Sequence, residues 1–83
     1  MPDARRVRDD LIGVLRLLVD HPERLEIRAA PMRRATVFEV ATAAEDLGKV
    51  IGRRGRAIRA LRTLLDARAE ADGEQYGLEV LEQ

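Results

Sequence analysis

Two glycines separated by two arginines constrain the fold of this chain more than any other feature. Residues 50–58 read Val-Ile-Gly-Arg-Arg-Gly-Arg-Ala-Ile and place Gly52 and Gly55 between two amphipathic stretches. A turn this tight requires residues that tolerate positive φ or that have no Cβ. It also leaves the first backbone N–H groups of the next helix without partners, at the positive end of the helix dipole. The pattern therefore predicts two helices joined by a short loop, with an anion site at the loop.

Basic side chains surround this predicted loop. Arg53 and Arg54 occupy its tip, and Lys49, Arg56 and Arg59 flank it. Residues 49–68 hold seven basic residues and one acidic residue, a net charge of +6, whereas residues 70–83 carry −5. The whole chain is neutral, with 15 Lys+Arg and 15 Asp+Glu, which argues against a protein that coats polyanions by bulk charge. The sequence instead predicts a local phosphate site built on charge-assisted hydrogen bonds.

Composition excludes several other kinds of chemistry. The 83 residues include no cysteine, serine, tryptophan or asparagine and a single histidine, His21. These absences exclude a thiol or serine nucleophile, a cysteine-based zinc site and a disulfide framework. We interpret His21 as a capping or surface residue, and Glu45 and Asp46 as charges at the start of a helix. We therefore expect no enzyme, no metal and no cofactor.

The chain is also expected to act in the cytoplasm. Its most apolar stretch, residues 11–19, is interrupted by Gly13 and Arg16 and is far shorter than the ~20 residues of a membrane span. The basic N-terminus lacks the apolar segment and cleavage site of a signal peptide. Neither segment predicts a contact with a membrane.

Hydrophobic periodicity predicts the element order α-β-β-α-α-β. Pro22 is expected to end the first helix, Thr42 and Glu45 to form a capping box, and Gly52 and Gly73 to stop the later helices. The predicted spans are a helix over 3–20, strands over 25–29 and 36–41, helices over 43–51 and 55–72, and a strand over 76–81.

Three helices on one face of a three-stranded sheet form a two-layer α+β domain. Without linkers, repeats or low-complexity tracts, the sequence predicts one domain over residues 1–83. The predicted core residues are Leu11, Leu15, Leu18, Ile27, Phe38, Val40, Leu47, Ile51, Ile58, Leu61, Leu65, Leu78 and Val80.

The glycine segment and the element order resemble those of KH domains. Residues 50–58 are similar to the KH signature Val-Ile-Gly-x-x-Gly-x-x-Ile, and the order of elements resembles the type II, prokaryotic arrangement. The Asp-His-Pro-Glu exit from the first helix, the Glu-Asp-Leu-Gly-Lys-Val-Ile-Gly run and the Arg-Ala-Leu-Arg-Thr-Leu helix look like the small stand-alone bacterial KH proteins of the KhpA family, also called YlqC. This likeness covers nearly the whole chain, and the loop with its two helices is its specific part.

The resemblance implies a single-stranded RNA-binding protein whose Gly-x-x-Gly loop clamps about four backbone nucleotides, with bases in a groove beside it. Arg53 and Arg54 are the variable middle pair, and two arginines there strengthen phosphate contact and weaken base preference. Val40, Ile51 and Ile58 are candidates for the apolar floor or edge of this groove. The residues assigned to RNA binding are Lys49, Ile51, Gly52, Arg53, Arg54, Gly55, Arg56, Ile58 and Arg59.

The resemblance also implies protein partners and a cellular role. KhpA-like proteins form homodimers and pair with KhpB, also called Jag, and are linked to RNA chaperoning or post-transcriptional regulation and to cell shape. Two alternatives stay open, a dimerising adaptor with a KH fold and a protein that binds single-stranded DNA. The basic loop favours nucleic acid over the adaptor, because an adaptor does not need arginines around two glycines.

Overall fold

Alternating burial along the strands places the core on one side of a three-stranded sheet. The structure is a computed structural model that describes residues 3–82. The strand order is β1-β2-β3, with β1 and β2 antiparallel and β2 and β3 parallel. The register pairs Ile27 with Val40 and Phe38 with Leu78, so these buried side chains lie on the same face. The strands are β1 (Glu26–Pro31), β2 (Thr36–Ala41) and β3 (Tyr76–Val80).

Three helices cover this face, and the predicted α+β order is confirmed. Short 3-10 turns at Pro22–Arg24, Ala44–Asp46 and Arg53–Gly55 connect the larger elements. No helix within residues 3–82 is long and apolar enough to cross a membrane. The ends of the predicted domain, residues 1, 2 and 83, lie outside the described residues. The helices are α1 (Ala4–Leu15), α2 (Leu47–Ile51) and α3 (Arg56–Asp72).

The first helix is shorter than its periodicity predicts. α1 ends at Leu15, and the backbone N–H groups of Leu17 and Leu18 then donate to carbonyls three residues earlier, at 3.1 and 2.9 Å. These tighter turns break the 3.6-residue period. Leu18, predicted for the core, is consequently 38% exposed, and Val19 takes the buried position.

The predicted capping box is wrong. The Thr42 hydroxyl donates to the Ala43 carbonyl at 2.9 Å, and neither the Ala44–Asp46 turn nor α2 receives a side-chain cap. The chain passes through the 3-10 turn before α2 begins, so this helix has only five residues, from Leu47 to Ile51.

The core follows most of the prediction. Leu47, Ile51, Ile58 and Val80, which were also expected there, are half-buried. In α2 the fully buried residue is Val50, one position before the predicted Ile51. The confirmed core residues are Leu11, Leu15, Ile27, Phe38, Val40, Leu61, Leu65 and Leu78, and the large residues missed are Val7, Val19 and Val50.

The end of α3 is fixed by the predicted glycine stop and by a polar cluster. Gly73 has φ 67°, and the next backbone N–H donates to the Ala69 carbonyl at 2.9 Å. The Tyr76 hydroxyl donates to Asp72 at 2.7 Å, and burial raises the pKa of Tyr76 to about 12. Arg68 bridges Asp72 and Asp10, each at 3.1 Å, and so ties α3 to α1.

Candidate nucleic-acid interface

The glycine loop, residues 52–55 between α2 and α3, is built largely from residues with positive φ. Gly52 has φ 79° and ψ 163°, and Gly55 has φ 72° and ψ 19°. Arg54, at φ 57° and ψ 26°, is the only non-glycine residue with positive φ among residues 3–82. The left-handed conformation costs such a residue roughly 1–2 kcal/mol. The loop therefore holds Arg54 in a strained backbone conformation.

The two glycines differ in what surrounds them. A Cβ on Gly52 would lie 2.6 Å from the Ala57 backbone nitrogen and 2.7 Å from the Ala57 Cβ. A Cβ on Gly55 would meet nothing closer than 3.8 Å, the Ile58 Cγ2. Gly52 is required by close packing as well as by backbone conformation, whereas Gly55 is required by conformation alone. No sequence pattern predicts the contact between Gly52 and Ala57.

Four arginines around the loop are available to an anion. Arg53, Arg54, Arg56 and Arg59 are exposed, and within residues 3–82 none of them forms an ion pair with a carboxylate. Ile51 and Ile58 are half-buried beside them. The predicted arginine cluster is thus brought together on the surface of one loop and the first turn of α3.

Lys49, expected to flank the phosphates, is engaged with carboxylates. Its ammonium group forms an ion pair and hydrogen bond with Asp20 and lies 3.9 Å from an Asp46 oxygen. The hydrogen bond to Asp20 is the main cause of a raised pKa at Lys49. The ion pairs of Lys49 therefore distinguish it from the four loop arginines, which have no acidic partner within residues 3–82.

Asp46, predicted to be a helix-start charge, is instead a fully buried carboxylate. It accepts hydrogen bonds from the backbone N–H groups of Asp20, at 3.1 Å, and His21, at 2.9 Å. Burial opposes ionisation of Asp46, but these two bonds and the charges of His21 and Lys49 outweigh it and lower its pKa. No local pattern predicts this contact, because the partners lie 26 and 25 residues earlier in the chain.

The apolar groove floor expected beside the loop is only partly present. Val40 is fully buried and belongs to the core, so it cannot form a surface floor. A cleft runs between α3 and the free edge of β3, where Arg62 donates to the Leu78 carbonyl at 3.3 Å. Leu65 and Asp66 also line this cleft. The cleft therefore presents both polar and apolar groups along α3.

A second, more apolar groove lies between α1 and α3. Val14 and Leu64 line it and are 40% and 60% exposed. The ion pair between Asp10 and Arg68 borders this groove. It is formed by different residues from those of the arginine cluster.

Comparison with known proteins identifies similar chains over most of the length. The family model described as "KhpA/KhpB, KH domain" matches residues 8–80. A protein of Treponema pallidum named "RNA-binding protein KhpA" is 40% identical over 77 residues, covering 92% of this chain and 96% of its own. A protein of the same name from Leifsonia xyli is 43% identical over 72 residues, covering 87% and 92%. No solved structure matches significantly.

Proposed function

The chain belongs to the KhpA/KhpB family of KH domains, and from this membership we propose that it binds single-stranded RNA through the glycine loop. The family and the name of its relatives support RNA as the ligand. The finer assignment, that residues 52–55 clamp the sugar-phosphate backbone, is supported by the geometry of this loop. RNA as the ligand would place the action of the protein in the cytoplasm.

The single observation that carries the clamp is the group of exposed arginines without acidic partners within residues 3–82. Arg53, Arg54, Arg56 and Arg59 surround a loop in which Gly55 presents no side chain. Guanidinium groups form strong, charge-assisted hydrogen bonds with phosphate oxygens. A backbone without side chains at the glycines lets a phosphate approach the start of α3.

The remaining assigned residues have supporting parts in this site. Ile51 and Ile58 are half-buried next to the arginines and offer apolar contact to a base, while Gly52 shapes the turn. Lys49 differs from these residues because its ammonium group is paired with the carboxylates of Asp20 and Asp46. Since both middle residues of the loop are arginines, phosphate contact dominates over base recognition. Weak sequence preference suits an RNA chaperone or a post-transcriptional regulator. The proposed role in cell shape rests on family membership alone.

We further propose that the protein acts as a homodimer through the groove between α1 and α3. The observation that favours this surface is the exposed apolar side chains of Val14 and Leu64 beside the buried Leu61 and Leu65. One KH domain reads only about four nucleotides, and joining two sites raises affinity through effective concentration. A KhpB-like KH domain is the alternative occupant of the same groove, in keeping with the shared family model.

The clamp is tested by the double variant Arg53→Asp/Arg54→Asp. Its affinity for a fluorescently labelled single-stranded RNA should be lost, because two phosphate ligands become anions, while the exposed positions leave the fold intact. For the parent protein, a clamp on three or four phosphates should give a slope of log K against log salt of about −2 to −3. Fluorescence anisotropy across a salt series measures both quantities.

A matched control is available in the β1–β2 hairpin. Arg33→Asp/Arg34→Asp makes the same charge change at another exposed pair. The backbone N–H of Thr36 donates to the Gln75 carbonyl, so this hairpin lies near the C-terminal end of α3. The glycine loop lies at the other end of α3, which is about 25 Å long, so the control pair is far from the loop. The control should bind RNA far better than the loop variant. Full RNA affinity in a folded loop variant would favour the adaptor, and tighter binding of the matching DNA strand would favour DNA.

A further inference from the structure

The carboxylates around Lys49 indicate a different role for this residue from that of the neighbouring arginines. We propose that Asp20, Asp46 and Lys49 form a latch that positions the glycine loop for RNA, and that Lys49 does not itself bind phosphate. This inference rests on the proposed function, because it concerns how the RNA-binding loop is held. Asp20 and Asp46 are positioning residues, since they act through α2.

The latch supplies an orientation that α2 cannot supply alone. α2 has five residues, and helices shorter than about 12 residues are marginal in water without tertiary contacts. Asp46, directly before α2, binds the backbone N–H groups of Asp20 and His21. The Lys49 ammonium group, within α2, donates a hydrogen bond to the Asp20 carboxylate. The connection between α1 and β1 is therefore fastened to α2 just before Gly52.

The charges around Lys49 oppose a phosphate at this position. Two carboxylates face one ammonium group, so an RNA phosphate would have to displace Asp20 and approach the buried charge of Asp46. Nearby His21 contributes to lowering the pKa of Asp46, while its Nε2 lies 3.5 Å from Glu45. The arginines of the loop have no such competitors among the described residues. Phosphate binding is thus favoured at the arginines and disfavoured at Lys49.

The direction in which Asp20→Ala changes RNA affinity distinguishes a latch from a phosphate ligand at Lys49. Removing a carboxylate near an RNA site ordinarily strengthens binding, because it removes repulsion. We expect the opposite for Asp20→Ala, a two- to fivefold weaker affinity, which is about what loss of an exposed ion pair allows. Glu23→Ala is the matched control, because it removes another exposed carboxylate of the same connection that does not contact Lys49.

The salt dependence gives a second test. Lys49→Gln should weaken RNA binding about as much as Asp20→Ala while leaving the slope of log K against log salt unchanged. Loss of a phosphate ligand would instead make the slope less steep by about 0.7. Unchanged or tighter RNA binding by Asp20→Ala would overturn the latch, and a shallower slope for Lys49→Gln would show that Lys49 binds phosphate and so would also overturn the proposal.

Failure of the proposed function is recognisable separately. If the parent protein and Glu23→Ala bind no RNA, the RNA-binding proposal fails, and hydrogen exchange of the amides of residues 49–55 then decides on the latch. Faster exchange in Asp20→Ala than in Glu23→Ala, with unchanged exchange in β2, supports the latch. Equal exchange rates in the two variants contradict it.

Discussion

At the scale of single residues, the two glycines of the loop are not equivalent. Gly52 lies in a region of φ and ψ that is essentially restricted to glycine, and its position is packed against Ala57. Gly55 has the ordinary left-handed conformation, and a Cβ there would make only ordinary van der Waals contacts. A left-handed Gly55 is not in the extended conformation of a usual N-cap, so an aspartate there would not act as a standard cap.

Substitution to alanine should separate these two requirements. Gly52→Ala should lower the free energy of unfolding by roughly 3 kcal/mol or more, because overpacking adds to the backbone strain. Gly55→Ala should cost about 1 kcal/mol, from backbone conformation alone. Urea unfolding measures both values, and an equal loss in the two variants would contradict the close packing of Gly52.

The matched pair Gly55→Asp and Gly55→Asn then tests charge at the loop. Both side chains have the same shape and tolerate left-handed φ, so their unfolding free energies should be similar. Gly55→Asp should lose RNA binding, because it places a carboxylate where a phosphate approaches α3, while Gly55→Asn retains more affinity. RNA binding by Gly55→Asp at the parent affinity would mean that the loop is only a turn.

At the scale of elements, the attachment of α2 to the α1–β1 connection should depend on pH. The pKa of Asp46 is lowered in the folded chain, so its contribution to stability is present above its ordinary value near 3.8 and is lost as pH falls below it. The backbone N–H groups of Asp20 and His21 then face a neutral acid and lose strong acceptors.

We expect the parent protein to lose stability below about pH 4 more steeply than Asp46→Asn, as the pH falls from the ordinary pKa of an aspartate through the lowered pKa of Asp46 in the folded chain. The variant should be less stable than the parent at pH 7, because an amide is a weaker acceptor for both N–H groups. Urea unfolding at a series of pH values measures the difference. Parallel pH profiles for the two proteins would show that folding does not lower the pKa of Asp46.

At the scale of the whole molecule, charge and apolar surface are segregated. The arginines gather at the start of α3, while residues 70–83 are acidic and the exposed apolar groove lies between α1 and α3. The proposed RNA site and the proposed dimer interface therefore lie on separate surfaces. A dimer built on this groove would leave the arginine loops available to one RNA strand.

The dimer is tested by Leu64→Asp, with Met32→Asp as the matched control. Leu64 and Met32 are about equally exposed, at 60% and 62%, but of the two only Leu64 lines the groove. Leu64→Asp should sediment as a monomer and bind RNA more weakly, because burying an unpaired carboxylate at an interface is unfavourable. Met32→Asp should remain dimeric. A monomeric parent, or a dimeric Leu64→Asp, would contradict the proposed interface.

Sequence patterns were enough to predict the element order, the glycine loop with its exposed arginines, and the stop of α3 at Gly73. Each of these features depends on local properties of the chain, namely hydrophobic periodicity over a few turns and the conformational freedom of glycine. Tertiary packing selects Val50 rather than Ile51 for burial and brings the Asp46 carboxylate to the backbone N–H groups of Asp20 and His21. The Asp46 hydrogen bonds join positions about 25 residues apart, which local sequence patterns do not connect. No local pattern specifies which side chain fills the space between packed elements.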